Sequence, residues 1–153
     1  MNVINRPLRL ADTKNIAENL ALRLVRGDVV TLAGDLGAGK TCFSQFLIQA
    51  LSHAEVEVTS PTFTLLQTYP IILASGEACE IYHYDLYRIE HASQLVELGF
   101  EEALQAITVI EWPERLGTTK MPVTLALSFA LNEVGEYFIS HVAGDARFDG
   151  LMA

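Results

Sequence analysis

Residues 34–41 read Gly-Asp-Leu-Gly-Ala-Gly-Lys-Thr, a complete G-x-x-x-x-G-K-[ST] loop, and no other stretch limits the fold so strongly. The apolar run Val29–Ala33 before it reads as a buried strand. After it, Phe43, Phe46, Leu47, Ala50 and Leu51 recur at helical spacing over residues 42–51. The glycines let successive backbone N–H groups turn inward as an anion nest, and the start of the helix adds partial positive charge. This setting predicts that Asp35, Leu36, Gly37, Ala38, Gly39, Lys40, Thr41 and Cys42 wrap the phosphates of a nucleotide. Lys40 would reach the β- and γ-phosphates as a point charge, and the Thr41 hydroxyl would ligate Mg²⁺. A chance match to the four fixed positions arises in roughly one chain in two hundred of this length, and the flanking strand and helix make chance rarer.

A chain of 153 residues, half of them hydrophobic, suits one domain over residues 1–153 with an adequate core. No run approaches the roughly eighteen consecutive apolar residues of a membrane span. The opening residues 1–7 lack the apolar segment of a secretory signal. Cys42 and Cys79 are too few for a disulfide framework, and Cys42 reads as a small packing residue beside the loop. A reduced, cytoplasmic setting is the expectation. Ten Lys and Arg stand against nineteen Asp and Glu, a formal charge of −9 with no basic cluster. A protein that grips nucleic acid shows a basic face that replaces phosphate counterions, so tight direct binding to DNA or RNA is not expected here. An acidic surface suits a basic partner protein instead.

Along the chain, residues 6–10 suggest a short first strand. Asp12 or Thr13 is the expected N-cap of a helix reaching about residue 26, with Ile16, Leu20 and Leu24 on its apolar stripe and Gly27 as its stop. This first helix is also expected near the base of a bound nucleotide. Ser60-Pro61-Thr62-Phe63 is a hydroxyl-rich loop soon after the second helix. By position it is either a nucleotide-sensing switch, with Thr62 facing the γ-phosphate, or an ordinary polar loop. Residues 65–72 and 79–84 read as a hairpin whose second strand ends on Asp85. An Asp at the end of an apolar strand suits Mg²⁺ coordination, directly or through water. His83 alternates with Asp85 and so shares its face, and a hydrogen-bonded packing role fits it better than metal ligation. Short helices over 90–97 and 101–105 precede the apolar strand Ile107–Glu111, which also ends on an acid. Glu111 is therefore a candidate to meet Mg²⁺ or orient the attacking water. Trp112 is either a core anchor or a contact surface beside the site, and Pro113 stops the strand. Residues 123–129 and 136–142 form a second predicted hairpin, followed from Gly144 by an expected loosely held tail.

Gly-Asp-Leu-Gly-Ala-Gly-Lys-Thr, Ser-Pro-Thr-Phe, His-Tyr-Asp-Leu-Tyr-Arg at 83–88, Glu-Leu-Gly-Phe-Glu-Glu at 97–102 and Ile-Glu-Trp-Pro-Glu at 110–114 stand in one order. In that order the chain resembles the TsaE (YjeE) family from about Leu8 to Val142. The resemblance implies a small bacterial ATPase of tRNA threonylcarbamoyladenosine biosynthesis that binds ATP and Mg²⁺. It implies slow hydrolysis alone and action with TsaB and TsaD, where TsaD modifies adenosine 37 of tRNA. On the matching positions it implies that Lys40, Thr62, Asp85 and Glu111 serve catalysis. Thr41, Asp85 and Glu111 would meet the metal.

The expected architecture is a three-layer α/β P-loop NTPase, with a mostly parallel sheet and antiparallel strands added by the two hairpins. A guanine-specific NTPase would carry an Asn-Lys-x-Asp segment, which Thr119-Lys120-Met121-Pro122 does not match. A small-molecule kinase needs an Arg-rich lid, and only Arg88 and Arg115 lie in the later loops. The third reading is a nucleotide-gated binding module with negligible turnover of its own.

Overall fold

A computed structural model describes residues 6–53, 56–61, 64–117 and 119–152. The helices are α1 (Leu10–Ala21), α2 (Lys40–Ser52), α3 (Gln94–Glu97) and α4 (Phe100–Ala103). The strands are β1 (Val29–Ala33), β2 (Leu66–Ile72), β3 (Ala78–Asp85), β4 (Ile107–Glu111), β5 (Leu125–Leu131) and β6 (Tyr137–Gly144). They form one sheet in the order β2-β3-β4-β1-β5-β6. The four central strands run parallel, and β2 and β6 close the edges antiparallel as the outer strands of the two hairpins.

Burial explains this order. All five residues of β4 and the first four of β1 are buried, as strands covered on both faces must be. The hairpin strands alternate instead, so they can border solvent. Pro70 sits in β2, an edge strand, where its missing N–H costs no ladder bond on the open side. On one face, Ile16, Leu20, Phe43, Leu47 and Leu51 of α1 and α2 pack against Val30, Leu32, Val109 and Leu127. Phe43 meets Phe129 edge-to-face at 5.5 Å. The other face carries a thinner layer, with Leu95, Phe100 and Ala103 of α3 and α4 over Tyr84 and Ile110. The three-layer, mostly parallel α/β arrangement is thus the one the sequence predicts.

Several boundaries differ. The expected first strand shrinks to one bridge between Leu8 and Tyr137. Helix α1 starts at Leu10 because Asp12 acts from its third position, accepting the Arg9 N–H at 2.8 Å. Arg6 and that amide hold the Asp12 carboxyl down to about 2. Residues 90–93 stay outside α3, since the Gln94 side chain accepts the N–H groups of both Glu90 and His91 and keeps that backbone in a turn. No described helix is long and apolar enough to cross a membrane.

The largest correction concerns the C-terminal tail. Instead of hanging loose, the chain after Gly144 makes a 3₁₀ turn, and Phe148 and Leu151 are buried in the α1-side core. Arg147 forks onto both oxygens of the Asp28 carboxylate and donates to Arg23 O, and Arg23 donates back to Asp149 O at 2.8 Å. Asp28, itself buried, lies 119 residues away from Arg147, so local composition carried no sign of the clamp. Arg147→Ala leaves Asp28 with the Val25 N–H as a remaining donor. Breaking a fully buried pair costs about 3–5 kcal/mol. Arg147 is 34% exposed, so water replaces part of the contact, and a loss of about 2 kcal/mol is expected. Urea unfolding measures it, and an unchanged midpoint would show that the clamp is ornamental.

Candidate active site

The phosphate-loop sequence leaves β1 at Gly34 and enters α2 at Lys40. Gly34 has φ +145°, and a Cβ there would stand 2.3 Å from the Phe129 carbonyl oxygen of β5. Gly39, with φ +104°, is the left-handed N-cap of α2. Both conformations favour glycine. Because Gly39 brings no side chain, the first-turn N–H groups of α2 stay open to an anion.

Lys40 is 4% exposed. Its Nζ donates to Gly34 O at 2.5 Å and Asp35 O at 2.7 Å, and lies 4.4 Å from the centre of the Trp112 ring. Burial pushes the ammonium below the usual lysine range, and the Glu111, Asp85, Glu114 and Asp35 carboxylates resist that in decreasing order. Thr41 Oγ1 donates to Glu111 Oε1 at 3.0 Å. Glu111 and Asp85 are register partners at the carboxyl ends of adjacent parallel strands. Their alternation puts both on the α2 side of the sheet. Asp85 Oδ1 also accepts the Tyr87 N–H at 3.0 Å.

One cavity of about 430 Å³ receives this cluster. Lys40, Thr41, Asp85 and Glu111 are among its lining, together with the loop residues 36–39 and Cys42. Burial pushes the Cys42 thiol up, which keeps it protonated and suits a packing role. The rest of the lining is mostly apolar, Leu8, Leu10, Phe129, Tyr137 and Ile139, with Arg9 and Thr13 beside them, and the Phe129 and Tyr137 rings lie close to Gly39 of the loop. The start of α1 does reach the cavity. The share taken by the last hairpin left no mark in the sequence, because nothing local ties Tyr137 to a loop ninety-odd residues earlier. Thr62, the switch candidate, lies outside the described residues.

Trp112 lines the cavity and also packs, partly buried, against the core on the α3–α4 face. It has φ +61°, its ring covers Lys40, and it packs on Tyr87 at 4.9 Å. His83, expected to pack through a hydrogen bond, makes that bond to Glu111 itself, Nε2 to Oε2 at 2.5 Å. The face-sharing of residues 83 and 85 hinted at this. The partner's identity depended on the pairing of β3 with β4.

Among the described residues, no three His, Cys, Asp or Glu are grouped to hold a metal alone. The oxygens of Thr41, Asp85 and Glu111 are nevertheless hard donors lining one cavity. Mg²⁺ commonly takes one or two carboxylates and completes its shell with water and substrate phosphates. The donor set therefore fits an ion that arrives with phosphate.

A mostly parallel sheet, a glycine loop running from β1 into a helix, and acids ending the adjacent strands β3 and β4 define the P-loop NTPase fold. The crystal structure of YdiB from Bacillus subtilis superposes with a TM-score of 0.69 at 28% identity, covering 99% of this chain and 93% of that one. The family described as Threonylcarbamoyl adenosine biosynthesis protein TsaE matches residues 9–137, and the chain belongs to that family. Among its relatives, a tRNA threonylcarbamoyladenosine biosynthesis protein TsaE from Rickettsia conorii is 46% identical over 104 residues, 67% of this chain and 57% of that protein. The protein of the same description from Bacillus subtilis is 39% identical over 103 residues, 66% of this chain and 60% of that protein. The matched segment thus spans somewhat under two thirds of these relatives' length.

Proposed function

We propose that this protein is a Mg²⁺-dependent ATPase that supports N6-threonylcarbamoyladenosine modification of tRNA, working in the cytoplasm with TsaB and TsaD proteins. The observation that carries the reading is the Thr41–Glu111 hydrogen bond at 3.0 Å, which joins the phosphate loop to an acid 70 residues away. Adjacent strand pairing supports it by setting Asp85 beside that acid. Family membership supplies the tRNA context.

In this reading the loop amides and the start of α2 hold the triphosphate. Lys40 exchanges the Gly34 and Asp35 carbonyls for phosphate oxygens, and Trp112 shields it from water. The apolar lining of the cavity takes the base. Water attacks the γ-phosphorus in line, the bond to the β–γ bridging oxygen breaks, and ADP and phosphate leave. Bound Mg²⁺ supplies charge neutralisation at the phosphate oxygens. Without such a cation, four carboxylates acting on one lysine repel a polyanion.

Asp85→Ala and Glu111→Ala should each retain more nucleotide affinity than hydrolysis, with kcat falling about 100-fold, comparable to losing one preorganised charge contact. Steady-state phosphate release beside calorimetric ADP binding makes the comparison. Normal hydrolysis by Glu111→Ala would remove the role given to that acid. Phosphate release should also rise when TsaB and TsaD are added. Equal rates with nucleotide binding intact would favour the nucleotide-gated module, and a phosphorylated small molecule would favour a kinase.

A further inference from the structure

The Glu111 carboxylate is held on both oxygens. Thr41 Oγ1 donates to Oε1 at 3.0 Å, and His83 Nε2 lies 2.5 Å from Oε2. A carboxylate only accepts, so the ring proton sits on Nε2 and the tautomer is fixed by this contact. Nδ1 has no partner among the described residues, so Glu111 is the polar group the imidazole is aimed at. His83 is 0% and Glu111 1% exposed, which leaves little room for water to compete. The register explains the reach. His83 of β3 pairs with Val109 of β4, and Glu111 is the diagonal neighbour two residues further on the same face.

We infer that His83 is a positioning residue: it holds Oε2 of Glu111 so that Oε1 faces Thr41 and the phosphate loop. This rests on the ATPase reading above. The terminal torsion of a glutamate is broad, so one hydrogen bond at Oε1 does not by itself select an orientation. A second bond at Oε2 does, as carboxylate–histidine pairs do behind metal ligands elsewhere. Released from His83, the carboxylate has Lys40 as a competing partner, and that cation is needed for phosphate. A histidine that only fills space is replaceable by any side chain of its shape. A positioning histidine needs a donor where Nε2 stands.

The test uses the full chain with His83→Phe, which fills the space without a donor, and His83→Gln, whose amide donates from a similar reach. Steady-state kinetics give kcat and KM for ATP. Calorimetry gives ADP affinity with and without Mg²⁺, a readout independent of turnover. In His83→Phe, Mg²⁺-free ADP affinity should stay within about twofold, while kcat and the gain in affinity from Mg²⁺ fall about 10- to 100-fold. His83→Gln should restore most of both. Should His83→Phe match the wild type, or His83→Gln fare no better than a folded His83→Phe, the residue only packs and the inference is overturned. If His83→Phe does not fold, His83→Gln decides alone: kcat within about tenfold of wild type supports the inference, and a loss as deep as that of Glu111→Ala ends it. A wild type that neither hydrolyses ATP nor binds ADP more tightly with Mg²⁺ removes the ATPase reading and the inference together. A wild type that does either, matched by His83→Phe, removes the inference alone.

Discussion

Gly34→Ala should destabilise the nucleotide-free protein by about 3 kcal/mol or more, beyond the ordinary cost of overpacking. The added methyl would lie 2.3 Å from Phe129 O, and the nearest atoms include the Phe129 backbone carbon. Backbone in a paired strand cannot swing aside as a side chain can. Phe129 pairs with Ile139 in the last hairpin and its ring packs on Phe43, so any retreat of β5 disturbs the core that seats α2. Gly37→Ala is the internal control. It also has positive φ, +77°, but an added methyl there meets nothing within 4 Å. It should cost only the left-handed backbone penalty of about 1–2 kcal/mol. For a domain of this size the Gly34 variant should melt roughly 10 °C lower, the Gly37 variant half that or less. Equal melting temperatures would mean that β5 yields, and that the loop does not depend on the last hairpin.

Lys40→Ala should abolish measurable hydrolysis, with kcat/KM at least about 1000-fold lower, the scale set by removing a preorganised charge contact. Lys40 is the cation that the loop itself brings to the cavity, and Asp35, Asp85, Glu111 and Glu114 all act on it. Remove it and the phosphate loop loses its own cation beside those carboxylates. ADP affinity should fall as well, because in the proposed function the lysine contacts the ground-state phosphates too. That distinguishes this variant from Glu111→Ala, which should bind and fail to turn over. Folding should survive, since Lys40 anchors to two carbonyls of its own loop rather than to a distant element. A Lys40→Ala protein with wild-type nucleotide affinity would place the phosphates elsewhere.

Much of this molecule was legible before it was folded. The loop at 34–41 carries its own signature because its chemistry is local: consecutive amides, glycines with positive φ, and a lysine and a hydroxyl at the first turn of α2. Val29–Ala33 and Ile107–Glu111 read as buried strands because both faces are apolar, and each hairpin announced itself through alternation around a glycine turn. Asp85 and Glu111 stood out as acids that end such strands. Boundaries were less legible wherever a side chain decided them, as Asp12 does for α1 and Gln94 for α3.

By itself, then, the sequence determined the fold class, the glycine loop between β1 and α2 and the acids that end β3 and β4, since each local pattern is written within a few consecutive residues. Only the tertiary structure decided that β3 lies against β4, so that Asp85 faces Glu111 and His83 reaches it. It alone decided that Phe129 and Tyr137 wall the cavity, and that Arg147 fastens the tail to Asp28. Strand order and long-range ion pairs are settled by which apolar faces and buried charges find one another across the whole chain, and no window of neighbouring residues contains that information.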